Sequence, residues 1–332
     1  MIKKFKMQIT VIFVLFLLGT SHFNCFAMGS KKSIVNFTIG INQFMEHPLL
    51  DATYRGIMDV LKEKGLTEAT NSKVILKNAN GDINIAVQIN KQFVDQKVNM
   101  IVALGTPSAQ SACKLTQKIP VIFGAITDPV ASGIVDSLQK PGGNKTGTSD
   151  RWPYEKQVGL IKEIVPTAKK VGIVLNPGES NTEASMKYIR PLLKQNAMIP
   201  VEVPVANTSE VLNAAKSLIG RCDVMLIPGD NTVIAAIGAM VRVANENKIP
   251  LFCGSTASVE KGGLATYGNN YYEIGKETGR IIANVLINGI NPGDIPVSVA
   301  TESDLIINLN AAKKQNIVIP DNLREKAKKI IK

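Results

Sequence analysis

Met100-Ile101-Val102-Ala103-Leu104-Gly105-Thr106-Pro107-Ser108-Ala109-Gln110 decides the fold. Five apolar residues run without a polar break, as in a strand covered on both faces of a parallel sheet. Gly105 ends the run. Thr106 is then a fitting N-cap with Pro107 at the first helical position, so a helix is expected to follow. The stretch is one strand-to-helix unit, and the same unit recurs on both sides of it.

Upstream, Asn36 opens a strand over 36–41. Tyr54, Ile57, Met58 and Leu61 then fall at helical spacing over 51–64, and Gly65 stops that helix. A second strand is expected at 73–76, and Asp82 caps a helix carrying Ile85, Ala86, Ile89 and Phe93. Downstream comes a strand at 121–123, then the breaker Pro141-Gly142-Gly143-Asn144. The series restarts with a helix over 155–165 and strands at 171–175, 201–203, 223–227, 251–253 and 264–267. Pro191 sits in a helical stretch and predicts a kink or an end there. A helix over 271–287 and short strands at 296–299 and 305–307 are expected to cross back between the halves. Strands alternating with helices mean parallel sheets. Two such series predict an α/β fold of two doubly wound parallel-sheet lobes joined by a hinge. The expected bounds are 34–149 with about 270–300 for lobe I, and 150–269 with about 301–332 for lobe II.

The first residues read as an address. Lys3, Lys4 and Lys6 precede the apolar run 9–18, and small residues lead to Cys25-Phe26-Ala27, which is the order of a signal peptide over 1–27. The run is shorter than the ~20 residues a spanning helix needs. Cleavage after Ala27 is favoured over lipidation of Cys25, because His22-Phe23-Asn24 is bulky and polar for a lipidation signal. The chain is therefore expected to be exported, to the periplasm or the extracytoplasmic face of the membrane. Without the three leader lysines the formal charge of +11 becomes +8. These charges are scattered, form no run of five and do not interleave with aromatics, which argues against a nucleic-acid partner. Cys113, Cys222 and Cys253 remain after cleavage; an odd set cannot pair fully, and all three are read as small buried apolar residues.

Ligands bind beyond the carboxyl ends of strands in such sheets. Six loops lie there: 43–48, 105–108, 126–129, 176–181, 229–232 and 254–256. They are rich in Gly, Pro, Thr, Ser, Asn and Asp, and each is expected to open a helix; Ser180 with Glu183 has the spacing of a capping box. Helix N-termini offer free N–H groups and partial positive charge. Thr106, Pro107 and Ser108 are thus the first candidates for a ligand carboxylate, assisted by Thr127. Opposite them, Asp230 or Glu179 is placed to accept an ammonium, so Asp230→Ala is expected to weaken affinity more than about tenfold and leave stability nearly unchanged. Asp128, Asn181, Asn231, Thr232 and Ser255 complete the set from the same loops, and His47 is a ligand-facing or loop-ordering residue. Phe44 either walls a side-chain pocket or packs under the first helix; Trp152 ranks below it, and Tyr271 and Tyr272 are expected to pack on a helix surface or between lobes.

Catalytic sets are missing. One histidine besides His22 and three scattered cysteines build no metal site, no G-x-S-x-G elbow occurs, and Gly142-Gly143-Asn144-Lys145-Thr146 lacks the glycine a phosphate loop needs before its lysine. No enzyme activity, metal or cofactor is expected.

Five motifs in order then carry a resemblance. Phe44-x-Glu46-His47-Pro48-x-Leu50-Asp51, Thr106-Pro107-Ser108-Ala109-Gln110, Thr127-Asp128-Pro129-Val130, 176–181 and Asp230-Asn231-Thr232-Val233 resemble the tryptophan/tyrosine-type substrate-binding proteins of ABC importers, from about Ile39 to Pro320. The resemblance implies a type I periplasmic-binding-protein fold, an amino-acid-like and often aromatic ligand between the lobes, and an ABC permease as partner of a monomer. The alternative function for the same fold is a periplasmic ligand-sensing subunit of a signalling system.

Overall fold

The structure is a computed structural model and describes residues 37–67 and 72–332. The expected signal peptide, Cys25 and the first residue of the first strand, Asn36, lie outside the described residues.

The first lobe opens with β1 (Phe37–Gln43), α1 (Pro48–Glu63), β2 (Ser72–Asn78), α2 (Ile83–Asp95), β3 (Met100–Leu104), α3 (Thr106–Leu115), β4 (Val121–Ile126) and β5 (Lys145–Ser149). The second runs through α4 (Tyr154–Ile164), β6 (Lys170–Leu175), α5 (Ser180–Gln195), β7 (Ile199–Pro204), α6 (Val211–Ser217), β8 (Val224–Ile227), α7 (Asn231–Ala235), α8 (Ile237–Asn247), β9 (Leu251–Cys253), α9 (Thr256–Glu260) and β10 (Ala265–Gly268). Then α10 (Tyr271–Asn288) packs on α1, β4 and β5. The chain closes with β11 (Ser298–Val299), β12 (Asp304–Asn308), α11 (Leu309–Lys314), α12 (Asp321–Lys326) and β13 (Lys329–Ile331). Two parallel sheets result, in the orders β11-β5-β4-β3-β1-β2 and β7-β6-β8-β9. Every residue of β3 and β4 is buried, as the unbroken apolar run implies for central strands. Three stretches cross between the lobes, at 150–153, 269–270 and 300–303.

The structure departs from the sequence reading at several points. Residues 264–267 were expected in a parallel series, but β10 pairs antiparallel with β12, which pairs with β13. This small sheet continues from β9, where Leu264 N–H donates to Leu251 O. Lys145-Thr146-Gly147-Thr148-Ser149 adds a fifth strand, β5, where no strand was expected; its polar side chains hide an almost fully buried position. The loop after β4 turns at 128–132 and opens no helix. Gly105, at φ 88°, is the N-cap of α3, so Thr106 stands one position inside the helix. The capping box of Ser180 and Glu183 does not form. Ser180 Oγ donates instead to Gln110 Oε1 at 3.2 Å, and Glu183 pairs with Arg190 at 3.2 Å. No end occurs at Pro191, since α5 runs on to Gln195. Cys113 and Cys253 are buried, but Cys222 is only half-buried; all three are free thiols.

Two features of the first lobe set up the site. Gly56, Gly275 and Gly279 let α1 and α10 touch backbone to backbone: a Cβ at Gly275 would fall on Thr53 O, and one at Gly56 on Tyr272 O. Near the end of β4 the register shifts between Phe123 and Ile126, and Ala125 takes a left-handed φ of 56° with its N–H on Thr148 Oγ1. Such a bulge re-aims the strand end and costs about 1–2 kcal/mol for a residue with a Cβ.

Candidate functional site

The lobes meet across a small, tight cavity lined by residues of both. His47, Leu49 and Leu50 at the start of α1 line it from the first lobe, with Thr106, Ala125 and Thr127. Asn181 of α5, Gly229, and Asn231 and Ile234 of α7 line it from the second. Asp150 and Trp152, from one crossing, and Tyr271, at the start of α10, complete the wall.

Asp150 is the charged centre. One carboxylate oxygen, Oδ2, accepts the Tyr271 hydroxyl, which itself accepts from Trp152 Nε1 at 2.7 Å. The other oxygen, Oδ1, is buried without a partner. Burial pushes the Asp150 pKa up to about 6, against the lowering by the Tyr271 hydrogen bond, its own backbone and Thr127. A buried carboxylate left half-satisfied costs on the order of several kcal/mol. From the second lobe comes a second orphan. Asn181 Nδ2 donates to Glu179 Oε2 at 3.0 Å and to Gly229 O at 2.7 Å, which fixes the amide orientation and leaves Oδ1 buried and unpartnered. Both groups accept and neither can donate through those oxygens. The pair is therefore chemically matched to a donor-only, positively charged group such as an ammonium.

The opposite chemistry lies at α3. No side chain caps this helix, and Thr106 at its start lines the cavity. Its first-turn N–H groups and partial positive charge suit a carboxylate. The apolar part of the wall is Leu49, Leu50, Ala125, Ile234 and the Trp152 ring. Trp152 rests on Gly254, where any Cβ would fall inside the indole.

The structure brings His47, Thr106, Thr127, Asn181 and Asn231 together around the cavity. The other sequence candidates point elsewhere. Phe44 is buried beside Gly105 and Leu50, packing under the first helix. Ser108 Oγ donates into the core, to Asn42 Oδ1 at 3.2 Å, and Pro107 is buried in the first turn of α3. Asp128 accepts from Ala131 N–H at 2.9 Å and, between lobes, from the Tyr188 hydroxyl at 3.4 Å. Ser255 caps α9 through Ser258 N–H. Glu179 accepts from Asn231 and Thr232, each through backbone and side chain, besides Asn181. Asp230 Oδ1 takes Val233 N–H at 2.8 Å, and its Oδ2 takes Asn176 N–H at 2.5 Å and the Thr182 hydroxyl at 2.9 Å. Both carboxylates, offered by the sequence for an ammonium, are filled by the protein. Asp150, a buried carboxylate that does line the cavity, was not among the sequence candidates. The signal available was the chain's one tryptophan two residues on, in a crossing.

Among the described residues no group of three His, Cys, Asp or Glu side chains could hold a metal ion, and no helix is long and apolar enough to cross a membrane.

The model of a family described as ABC transporter substrate binding protein matches residues 38–331. A tyrosine-binding protein of Clostridioides difficile (strain R20291) is 40% identical over 275 residues, covering 83% of this chain and 79% of the relative. Two solved structures are alike in identity but not in shape. The ABC domain from Streptococcus pneumonia in complex with L-Trp is 33% identical, with TM-score 0.85 over 89% of this chain and 100% of that one. The ligand-free, open structure of a substrate binding protein with adhesive properties from Clostridium difficile is 34% identical, with TM-score 0.65 over 89% and 99%.

Proposed function

This chain belongs to the ABC transporter substrate-binding protein family, and from that premise we propose that it is an extracytoplasmic solute-binding protein of an ABC importer. It closes its lobes around one small amino-acid-like molecule, an aromatic amino acid included, and delivers it as a monomer to a membrane permease. The observation that carries this reading is the pair of buried, unpartnered acceptors, Asp150 Oδ1 and Asn181 Oδ1, in one interlobe cavity. An ammonium there satisfies both. The ligand carboxylate then lies against the start of α3 and Thr106, with Thr127 beside it, and the side chain rests among Leu49, Leu50, Ile234 and Trp152. Micromolar affinity needs only about 8 kcal/mol, within reach of charge-assisted bonds worth about 1.5–3 kcal/mol each plus apolar burial.

The relatives support the ligand class: one is a tyrosine-binding protein and another holds L-Trp. The TM-scores support closure, because at equal identity this chain resembles the complex more than the open form. Lobe I is taken as 34–149 with about 270–300 and lobe II as 150–269 with about 301–332, with rotation at the three crossings. Residues 1–27 serve as the export signal.

Titration calorimetry of the purified chain against the twenty amino acids tests the proposal. Saturable one-to-one binding of a few, with dissociation constants near micromolar, is expected. Heats indistinguishable from dilution across the panel would overturn it.

A further inference from the structure

We propose that Gly254 is a positioning residue that sets the size of the ligand. It is not itself part of the cavity wall. By taking the Trp152 indole flat on its backbone, it holds the apolar wall back and leaves room for a bulky side chain. This deepens the amino-acid reading above and rests on it.

Gly254 lies between the end of β9 and Ser255, the N-cap of α9. Its φ lies outside the left-handed region, so the turn itself admits a side chain there. What excludes one is the indole. A Cβ at this position would stand 1.5 Å from Trp152 Cζ3, 2.0 Å from Cε3 and 2.3 Å from Cη2. Distances that rise so little from one ring atom to its two neighbours put the Cβ over the face of the ring, not beyond its edge. Carbon atoms pack at about 3.5–4.0 Å, so an alanine demands a shift of about 2 Å or more.

The backbone is the side that cannot yield. Gly254 O accepts from Gln157 Nε2 at 3.0 Å, and the same nitrogen donates to Tyr267 O at 2.8 Å. Before it, Cys253 pairs with Ile227 in the sheet; after it, Ser255 Oγ takes Ser258 N–H at 3.2 Å. The ring has room to move. It is 3% exposed, and the cavity it lines is the open space beside it. Its polar tether is one bond, from Nε1 to the Tyr271 hydroxyl at 2.7 Å. A methyl at 254 therefore drives the indole into the cavity.

In a tight cavity such an advance selects against bulk. It exceeds the length of a carbon–carbon bond, about 1.5 Å, and a single methylene in an apolar pocket already changes affinity about 10- to 200-fold. The proposed grips on the ammonium and the carboxylate serve every α-amino acid. Strain passed from the indole through Tyr271 to Asp150 weakens all of them alike, so it cancels when two ligands are compared.

Calorimetric titration with L-tyrosine, and with L-alanine by displacement, gives a ratio of dissociation constants for each variant. Gly254→Ala should lose at least about tenfold more affinity for L-tyrosine than for L-alanine. The same substitution made in Trp152→Leu, where no ring is left to push, should keep the ratio within about twofold of Trp152→Leu alone. A loss shared equally by both ligands, or the same shift in the Trp152→Leu background, would overturn the proposal and leave Gly254 a structural residue. If Gly254→Ala alone does not fold, Gly254→Ala/Trp152→Leu decides. It should fold, and should favour 3-(2-naphthyl)-L-alanine over L-tyrosine at least about tenfold more than wild type does. An unmoved ratio, or a double variant that also fails to fold, overturns the proposal. If neither L-tyrosine nor L-alanine binds the wild type, the amino-acid reading falls and the size reading with it; wild-type binding with an unmoved ratio removes the role of Gly254 alone.

Discussion

Two buried aspartates differ in how fully the protein satisfies them. Asp230 has three protein partners and a pKa pushed up to about 7 by burial and by Glu179. Asp150 has one oxygen with no protein partner and faces the cavity. The bonds of Asp230 move the expected effect of its loss from affinity, as the sequence suggested, to stability. Asp230→Ala should lower stability by about 2 kcal/mol or more in denaturant titration, the cost of a lost cap and orphaned donors. Asp150→Asn should weaken amino-acid binding about ten- to a hundredfold, the worth of one charge-assisted bond. It should also stabilise the unliganded chain at pH 7 by about 1–3 kcal/mol. The sign follows from the raised pKa: relative to ~3.9 in the unfolded chain, the folded group at about 6 binds its proton more tightly. Its contribution is fully present at low pH and lost as pH rises through about 6, so melting curves of wild type and Asp150→Asn should converge between pH 7 and pH 4.

At the scale of elements, the α1–α10 contact is built on glycines that admit no Cβ. Gly275→Ala should cost about 2 kcal/mol or more, because the methyl meets backbone rather than a movable side chain. Gly159→Ala in α4, where a Cβ meets nothing within 4 Å, should instead stabilise by up to about 1 kcal/mol. Thermal melts of the two variants at neutral pH separate these signs. Elements also explain what could be read in advance. Apolar runs such as Met100–Leu104 declare central strands, and the loops after them delivered Thr106, Asn181 and Asn231 to the cavity. β5 escaped because Lys145-Thr146-Gly147-Thr148-Ser149 is polar, its burial coming from neighbours far along the chain. Asp150, Trp152 and Tyr271 escaped because they lie in or beside crossings, not in strand-end loops, and only the folded chain brings them together. The free oxygen of Asn181 is set by an amide orientation that no one-dimensional pattern contains.

On the proposed reading, closure and binding are one equilibrium for the whole molecule. Contacts such as Ser180 to Gln110, Tyr188 to Asp128 and His47 to Asn231 bridge the lobes, yet each is a modest bond beside the orphan acceptors they enclose. A ligand therefore stabilises the closed form and the fold together, by about 2.7 kcal/mol at a hundred times its dissociation constant. The most direct test of an ammonium held between Asp150 and Asn181 removes only that group from the ligand. Calorimetric titration at pH ~7.5 with L-tyrosine and with its desamino analogue, 3-(4-hydroxyphenyl)propionate, should give saturable binding of the amino acid and a loss of at least about a hundredfold for the analogue. Equal affinity for the two would contradict the account.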